Sequence, residues 1–198
     1  MKHIIKLIVL SFMMNYPIVV KAQIKAGDMI KTEFNLNDIK YIGEATSGST
    51  SSFSCRFLHS QSKYTFNNLK RVPDSSQYLM TGVVASNIGG KYKAGSTIRF
   101  NVYRPDYKKI ITSADFKKMR NSDHFIVKFS DGKNYLAGFG GISELNIITL
   151  GFLHTRSIYQ IDSEGTIVQS GGKYKPGDKV SFHPATLMTS AAVLMPIN

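Results

Sequence analysis

The chain has 198 residues, 42% of them hydrophobic, and 25 Lys and Arg against 13 Asp and Glu give a formal net charge of +12. That apolar share excludes a wholly disordered chain, and the length suits one domain or two small ones with a real core. With Cys55 as the single cysteine, an internal disulfide framework is excluded.

Lys2 and Lys6 precede an apolar stretch from Ile4 through Met14, which closes on Val20-Lys21-Ala22. This is the pattern of a cleaved signal peptide over residues 1–22, with the mature chain beginning near Gln23 and exported to the periplasm or the cell exterior. Asn15, Pro17 and Lys21 interrupt the run short of the roughly 20 apolar residues a membrane span requires, so no transmembrane segment is expected after cleavage. Cleavage takes three lysines and no acid from the +12, leaving +9. In an oxidising compartment a lone thiol persists best when buried, which is the expectation for Cys55.

Residues 23–198 read as a single β-rich domain. Lys25-Ala26-Gly27-Asp28 is a turn that launches a strand. Residues 47–52, rich in serine, form a loop, and a longer loop is expected around residues 67–76. Strands are expected at residues 77–86 and 97–104, where Ile98, Phe100 and Val102 alternate with Arg99, Asn101 and Tyr103. Thr112 or Ser113 caps a short helix running to near Asn121, with Asp115 in its first turn and basic residues in its last. Phe125, Val127 and Phe129 alternate with Ile126 and Lys128, and Asp131-Gly132 turns the chain into a return strand at residues 134–139. A largely apolar strand follows at residues 146–154. A second hairpin pairs residues 158–161 with 166–169, and residues 191–195 suggest a terminal strand. Short strands, frequent turns and one small helix predict an all-β sandwich or barrel.

The most informative feature is internal repetition. Residues 57–64 read FLHSQSKY and residues 152–159 read FLHTRSIY; residues 89–95 read GGKYKAG and residues 171–177 read GGKYKPG. Each second block leads into an alternating run, Ile98-Arg99-Phe100 in one copy and Val180-Ser181-Phe182 in the other. Two matched blocks in matched order predict a fold of two duplicated halves, with repeats at about 53–104 and 147–187 and the helix between them. The Lys-x-Gly-Asp likeness between residues 25–28 and 175–178 is explained as recurrent turn chemistry, because glycine supplies the positive φ.

Candidate chemistry gathers on the repeated residues. His59 and His154 occupy related positions, and duplication would set them facing each other across a pseudo-twofold axis. With Tyr64 and Tyr159 they have the chemistry to move protons or hold a metal, although strand alternation puts Phe57 and His59 on one face and Tyr64 on the other. The paired loops carry Lys91, Tyr92, Lys93 and Lys173, Tyr174, Lys175, joining flat aromatic surface to positive charge. Gly177 to Phe182 resembles the strand start of cupredoxins, and Cys55-x-x-x-His59 resembles part of their ligand loop. A blue-copper site takes two histidines, a cysteine and usually a methionine. No Met follows His59 at short spacing and the Gly-Asp strand lies downstream of the cysteine, so neither copper nor another cofactor is expected. Serine-hydrolase, metalloprotease and phosphate-loop motifs are absent.

The expectation is therefore a non-enzymatic binding module for an anionic polymer, a glycan or another envelope component. Nucleic acid is not expected, since no run of five basic residues occurs. A hydrolase or lyase using His59 and His154 is one alternative, and a structural subunit of a surface or secretion assembly is another.

Overall fold

In the computed structural model, which describes residues 23–35, 40–72, 77–121 and 123–194, the chain is nearly all strand. Six strands form the first half: β1 (Met29–Phe34), β2 (Lys40–Gly48), β3 (Phe53–Phe57), β4 (Lys63–Arg71), β5 (Met80–Ile88) and β6 (Thr97–Pro105). Each pairs antiparallel with the next, and β1 pairs again with β6 from Met29↔Tyr103 to Phe34↔Ile98, closing a barrel. Closure leaves no free sheet edge in this half.

After a linker and the helix α1 (Ser113–Phe116), the order repeats: β7 (His124–Phe129), β8 (Asn134–Ile142), β9 (Ile148–Phe152), β10 (Ile158–Ile161), β11 (Ile167–Ser170) and β12 (Val180–Leu187). The last seam is thinner here. One bridge, Thr166↔Lys179, joins β11 to the start of β12. Linker residues 106–111 then cover the exposed side of β12, with Asp106 N–H donating to Pro184 O and Ile111 N–H to Phe182 O, both at 2.9 Å. β12 also ties the halves together: its first part pairs with β7, and Ala185–Leu187 pair with β6.

The halves match in detail. Register shifts fall between Ala45 and Ser47 in β2 and between Phe139 and Gly141 in β8. They recur between Thr65 and Phe66 in β4 and between Gln160 and Ile161 in β10. Bulges at the same step bend both sheets in the same place. Left-handed residues also recur, Gln61 at φ 58° and Arg156 at φ 60°, in the turn that follows β3 and β9.

Alternation fills each interior. Phe34, Phe53, Phe57, Tyr64, Phe66, Ile98 and Phe100 pack the first half, and Phe125, Val127, Phe129, Leu150, Phe152 and Tyr159 pack the second. A third cluster, Met29, Ile42, Tyr103, Ile126 and Leu136 with Leu58 and Leu153, lies between the halves. It explains why Ile126 and Tyr103, on the outward face of their strands, are buried. Cys55 lies inside the first barrel, 1% exposed, where burial raises its thiol pKa well above the usual range.

Three local expectations change. The extra residues near 67–76 largely lengthen β4, which runs to Arg71, rather than forming a loop; residues 73–76 lie outside the described residues, as do residues 1–22. α1 ends at Phe116 rather than near Asn121, because Phe116 turns inward onto Phe125, Phe139 and Phe182. Its start is as expected, with the Asp115 carboxylate accepting from the Thr112 amide at 2.9 Å and hydroxyl at 2.7 Å. Ser190–Leu194 form a helix, α2, instead of a strand; it lies against β4 and places Val193 in the first core. Among the described residues no helix is long and apolar enough to cross a membrane.

Candidate functional site

The two repeated blocks meet through tyrosine. The Tyr64 hydroxyl accepts the Tyr92 amide at 3.2 Å, and the Tyr159 hydroxyl accepts the Tyr174 amide at 3.3 Å. Each buried phenol thus satisfies its polar end on a GGKYK backbone. The double glycine follows from that contact, because a Cβ at Gly90 would overlap the Tyr64 ring and hydroxyl, and one at Gly172 would meet the Tyr159 hydroxyl. Gly90→Ala is expected to cost about 1–3 kcal/mol by overpacking, read as a fall in the thermal midpoint; an unchanged midpoint would show that the loop shifts freely.

Tyr92 then folds over the barrel end. Its ring stacks on Phe34 at 4.0 Å and 3°, and its hydroxyl lies 2.9 Å from that of Tyr41. In the second half Tyr174 stacks on Phe129 at 3.5 Å and 15°, with its hydroxyl 3.2 Å from that of Tyr135. Lys91 Nζ sits 5.0 Å from the Tyr92 centroid and Lys173 Nζ 5.0 Å from that of Tyr174. One face of each tyrosine is therefore used internally, and a ligand at either loop meets a lysine and a phenol edge rather than an open ring. Lys93 and Lys175 are exposed in the turns beyond. Those turns match the one at Lys25: Asp28, Ser96 and Asp178 amides donate to Lys25, Lys93 and Lys175 carbonyls at 3.1 Å, with Gly27, Gly95 and Gly177 at φ 88°, 91° and 95°.

His59 and His154 do come together, lining one cleft of about 260 Å³ with Lys40, Tyr41, Ser60, Thr155 and Arg156. Both lie in the turns after β3 and β9 rather than in strands, so the alternation argument fails beyond Phe57. Tyr64 shares the interior with Phe57, 5.4 Å ring to ring, and neither Tyr64 nor Tyr159 reaches the histidines. The aromatic partner of His154 is instead Tyr135, stacked at 4.6 Å and 3°. Burial, and then the charge of His59, lowers the His154 pKa to about 4. Its ring is neutral at pH 7, and Nδ1 is buried without a hydrogen-bond partner among the described residues. Cys55 is inside the barrel and His59 outside it, so the two share no site.

The cleft joins the two loops. Tyr41, Phe57 and Ser60 line both it and the mouth beneath Lys91 and Tyr92. On the other side His154 leads through Tyr135 to Tyr174 and Lys173. Lys91, Tyr41, His59, His154, Tyr135, Tyr174 and Lys173 thus follow one another from the first half to the second. Among the described residues no acid lines the central cleft; at one end Asp131 lies 3.8 Å from Lys173 and 3.6 Å from Lys133. Desolvation works upward on Asp131, but the Lys133 amide, the Tyr174 hydroxyl and the two lysines hold its pKa below the carboxylate norm.

A larger groove of about 840 Å³, lined in part by Lys31, Asn101, Tyr103, Asp115 and His124, was not foreseen. Its residues come from distant strands, the linker and α1, and no sequence motif connects them. It mixes both signs of charge and includes none of the repeated motif residues. Among the described residues no three His, Cys, Asp or Glu side chains are grouped to hold a metal ion. No family model matches the chain, and neither a curated protein nor a solved structure shows significant similarity to it.

Proposed function

We propose that the protein is a non-enzymatic binding module for an extended anionic ligand, a glycan or envelope polymer, held along the linked His, Tyr and Lys face. The supporting observation is that the repeated blocks of both halves meet on one cleft, flanked by Lys40 and Arg156 and without an acid among the described residues, with Lys91 and Lys173 beyond. The net charge, +9 once residues 1–22 with their three lysines are taken from the +12, adds general attraction for anions. Export, to the periplasm or beyond, rests on residues 1–22.

The test is co-sedimentation of the purified protein with isolated envelope polymers at low and high salt. Replacing Lys91 and Lys173 together by alanine should weaken binding about two- to thirtyfold, as expected for two exposed charge contacts. Unchanged affinity would sink the proposal, and wild-type binding abolished by moderate salt would reduce it to net charge.

The hydrolase or lyase reading draws on one observation, that both histidine rings line the same cleft. Against it, a ring with a pKa of about 4 is a weak base at neutral pH, far from the poise general-base catalysis favours. Turnover of any envelope polymer that vanished in His59→Gln and His154→Gln would reverse the preference. A role as a structural subunit would show as concentration-dependent oligomers.

A further inference from the structure

The central cleft has a more specific chemistry than its positive charge. Resting on the reading that this face takes an anionic ligand, we infer that the cleft between the halves is a subsite for a tetrahedral oxyanion, the phosphate or sulfate group of a monoester, held by Lys40, His59, His154 and Arg156. Its lining includes Lys40, Arg156, His59 and His154 together with Tyr41, Ser60 and Thr155, and among the described residues no Asp or Glu. Four cationic or imidazole side chains around one small space offer more donors than the two oxygens of a carboxylate take up, and they suit a group presenting three or four. About 260 Å³ holds such a group with its nearest attached atoms, not a polymer segment.

The same lining argues against a cation. Lys40 and Arg156 repel one, and the two imidazoles, with no carboxylate beside them among the described residues, make an incomplete ligand set. An anion, in contrast, complements this lining. His154 is held neutral by burial and by His59, and a bound oxyanion favours its protonated form. The groups facing His154 are Tyr135 and Phe152 from the second half, with His59, Lys40, Tyr41 and Arg156 around the cleft. A bound oxyanion draws the His154 pKa up from about 4 toward the range between pH 5 and 8. Binding is then linked to proton uptake, and affinity rises as the pH falls from 7.5 toward 5.

The repeats supply mild variants for the test. The register equivalence that matches Tyr41 to Tyr135 sets Lys40 against Asn134, and the matched turns set Arg156 against Gln61, at φ 60° and 58°. Lys40→Asn and Arg156→Gln therefore install residues the other half already holds in the same backbone setting. The histidine ring resonances of the full chain are followed while inorganic sulfate, inorganic phosphate or acetate is added, at pH 5.5 and 7.5. Expected are saturable shifts of His59 and His154 with sulfate or phosphate, weaker response to acetate, and no shift of His124 or His183, which line other surfaces. Affinity should be about fivefold or more higher at pH 5.5, and His154→Gln should reduce that pH dependence. The double variant Lys40→Asn, Arg156→Gln should bind at least about tenfold more weakly. A stronger response to sulfate than to phosphate, or the reverse, identifies the ester. Uniform, unsaturable shifts of all the rings, or acetate binding as well as sulfate, would overturn the subsite. If the small anions bind and the envelope polymers do not, the subsite stands and the extended-ligand reading falls; the opposite result removes the subsite alone.

Discussion

Replacing Arg104 by methionine is expected to lower the unfolding free energy by about 3–5 kcal/mol, the cost of stranding one partner of a buried ion pair. Arg104 donates from Nε to Asp28 Oδ1 at 2.9 Å and from a terminal nitrogen to Oδ2 at 2.8 Å, and Asp28 is only 3% exposed. This bidentate pair links the end of β6 to the turn that starts β1, where the Lys25 amide also donates to Asp28 at 2.9 Å. Methionine keeps the packing of the arginine stem and removes the charge, leaving a carboxylate with one backbone donor. Urea denaturation measures the loss. A change below about 1 kcal/mol would mean that water reaches Asp28 and that the pair behaves as a surface one.

Phe34→Ala should cost a similar amount, about 3–5 kcal/mol, and should also disturb the proposed binding face. Phe34 is 1% exposed and meets the rings of Tyr41, Phe57, Tyr64, Phe66 and Tyr92 at centroid distances from 4.0 to 6.1 Å. Its removal leaves a cavity under Tyr92 and frees the loop that carries Lys91. Amide exchange should therefore quicken at residues 90–93 beyond what the global loss explains, while the matching loop at residues 172–175, which rests on Phe129, stays protected. Equal quickening in both loops would show that the halves unfold as one unit and that Phe34 has no local role.

Much of the architecture was legible in the pattern. Period-two alternation, the Asp131-Gly132 turn and the repeated blocks specify an all-β protein of duplicated halves, and the structure is a six-stranded barrel followed by six more strands in the same order. The equivalence between halves runs further than the sequence signal. β1 and β7, or β2 and β8, share little beyond Phe34 with Phe129 and Tyr41 with Tyr135, yet their bulges and registers agree. Backbone closure constrains where a strand bends, while many apolar side chains fill the interior equally well. Hence the fold kept a likeness that side-chain identity had lost.

The candidate site was half legible. His59, His154 and the Lys and Tyr of both loops could be named from the repeats because both copies carry them at matched offsets, whereas Lys40 and Tyr41 lie in neither block. Their roles could not. Tyr92 and Tyr174 look in sequence like open stacking surfaces, and only the packed structure lays them on Phe34 and Phe129. His59 was placed on a strand face, but the chain has already turned at that point. Tyr135, the ring on His154, carries no motif at all.

The sequence by itself determined strand content, turn positions, the duplicated plan and the excess of positive charge, because alternation, glycine stereochemistry and composition act locally or as simple sums. Only the tertiary structure decided that the halves share β12, that Arg104 reaches Asp28, and that two histidines from separate repeats line one cleft. Those outcomes depend on how closed sheets lean against each other around Ile42, Leu136, Leu58 and Leu153, and such long-range packing has no period along the chain to announce it.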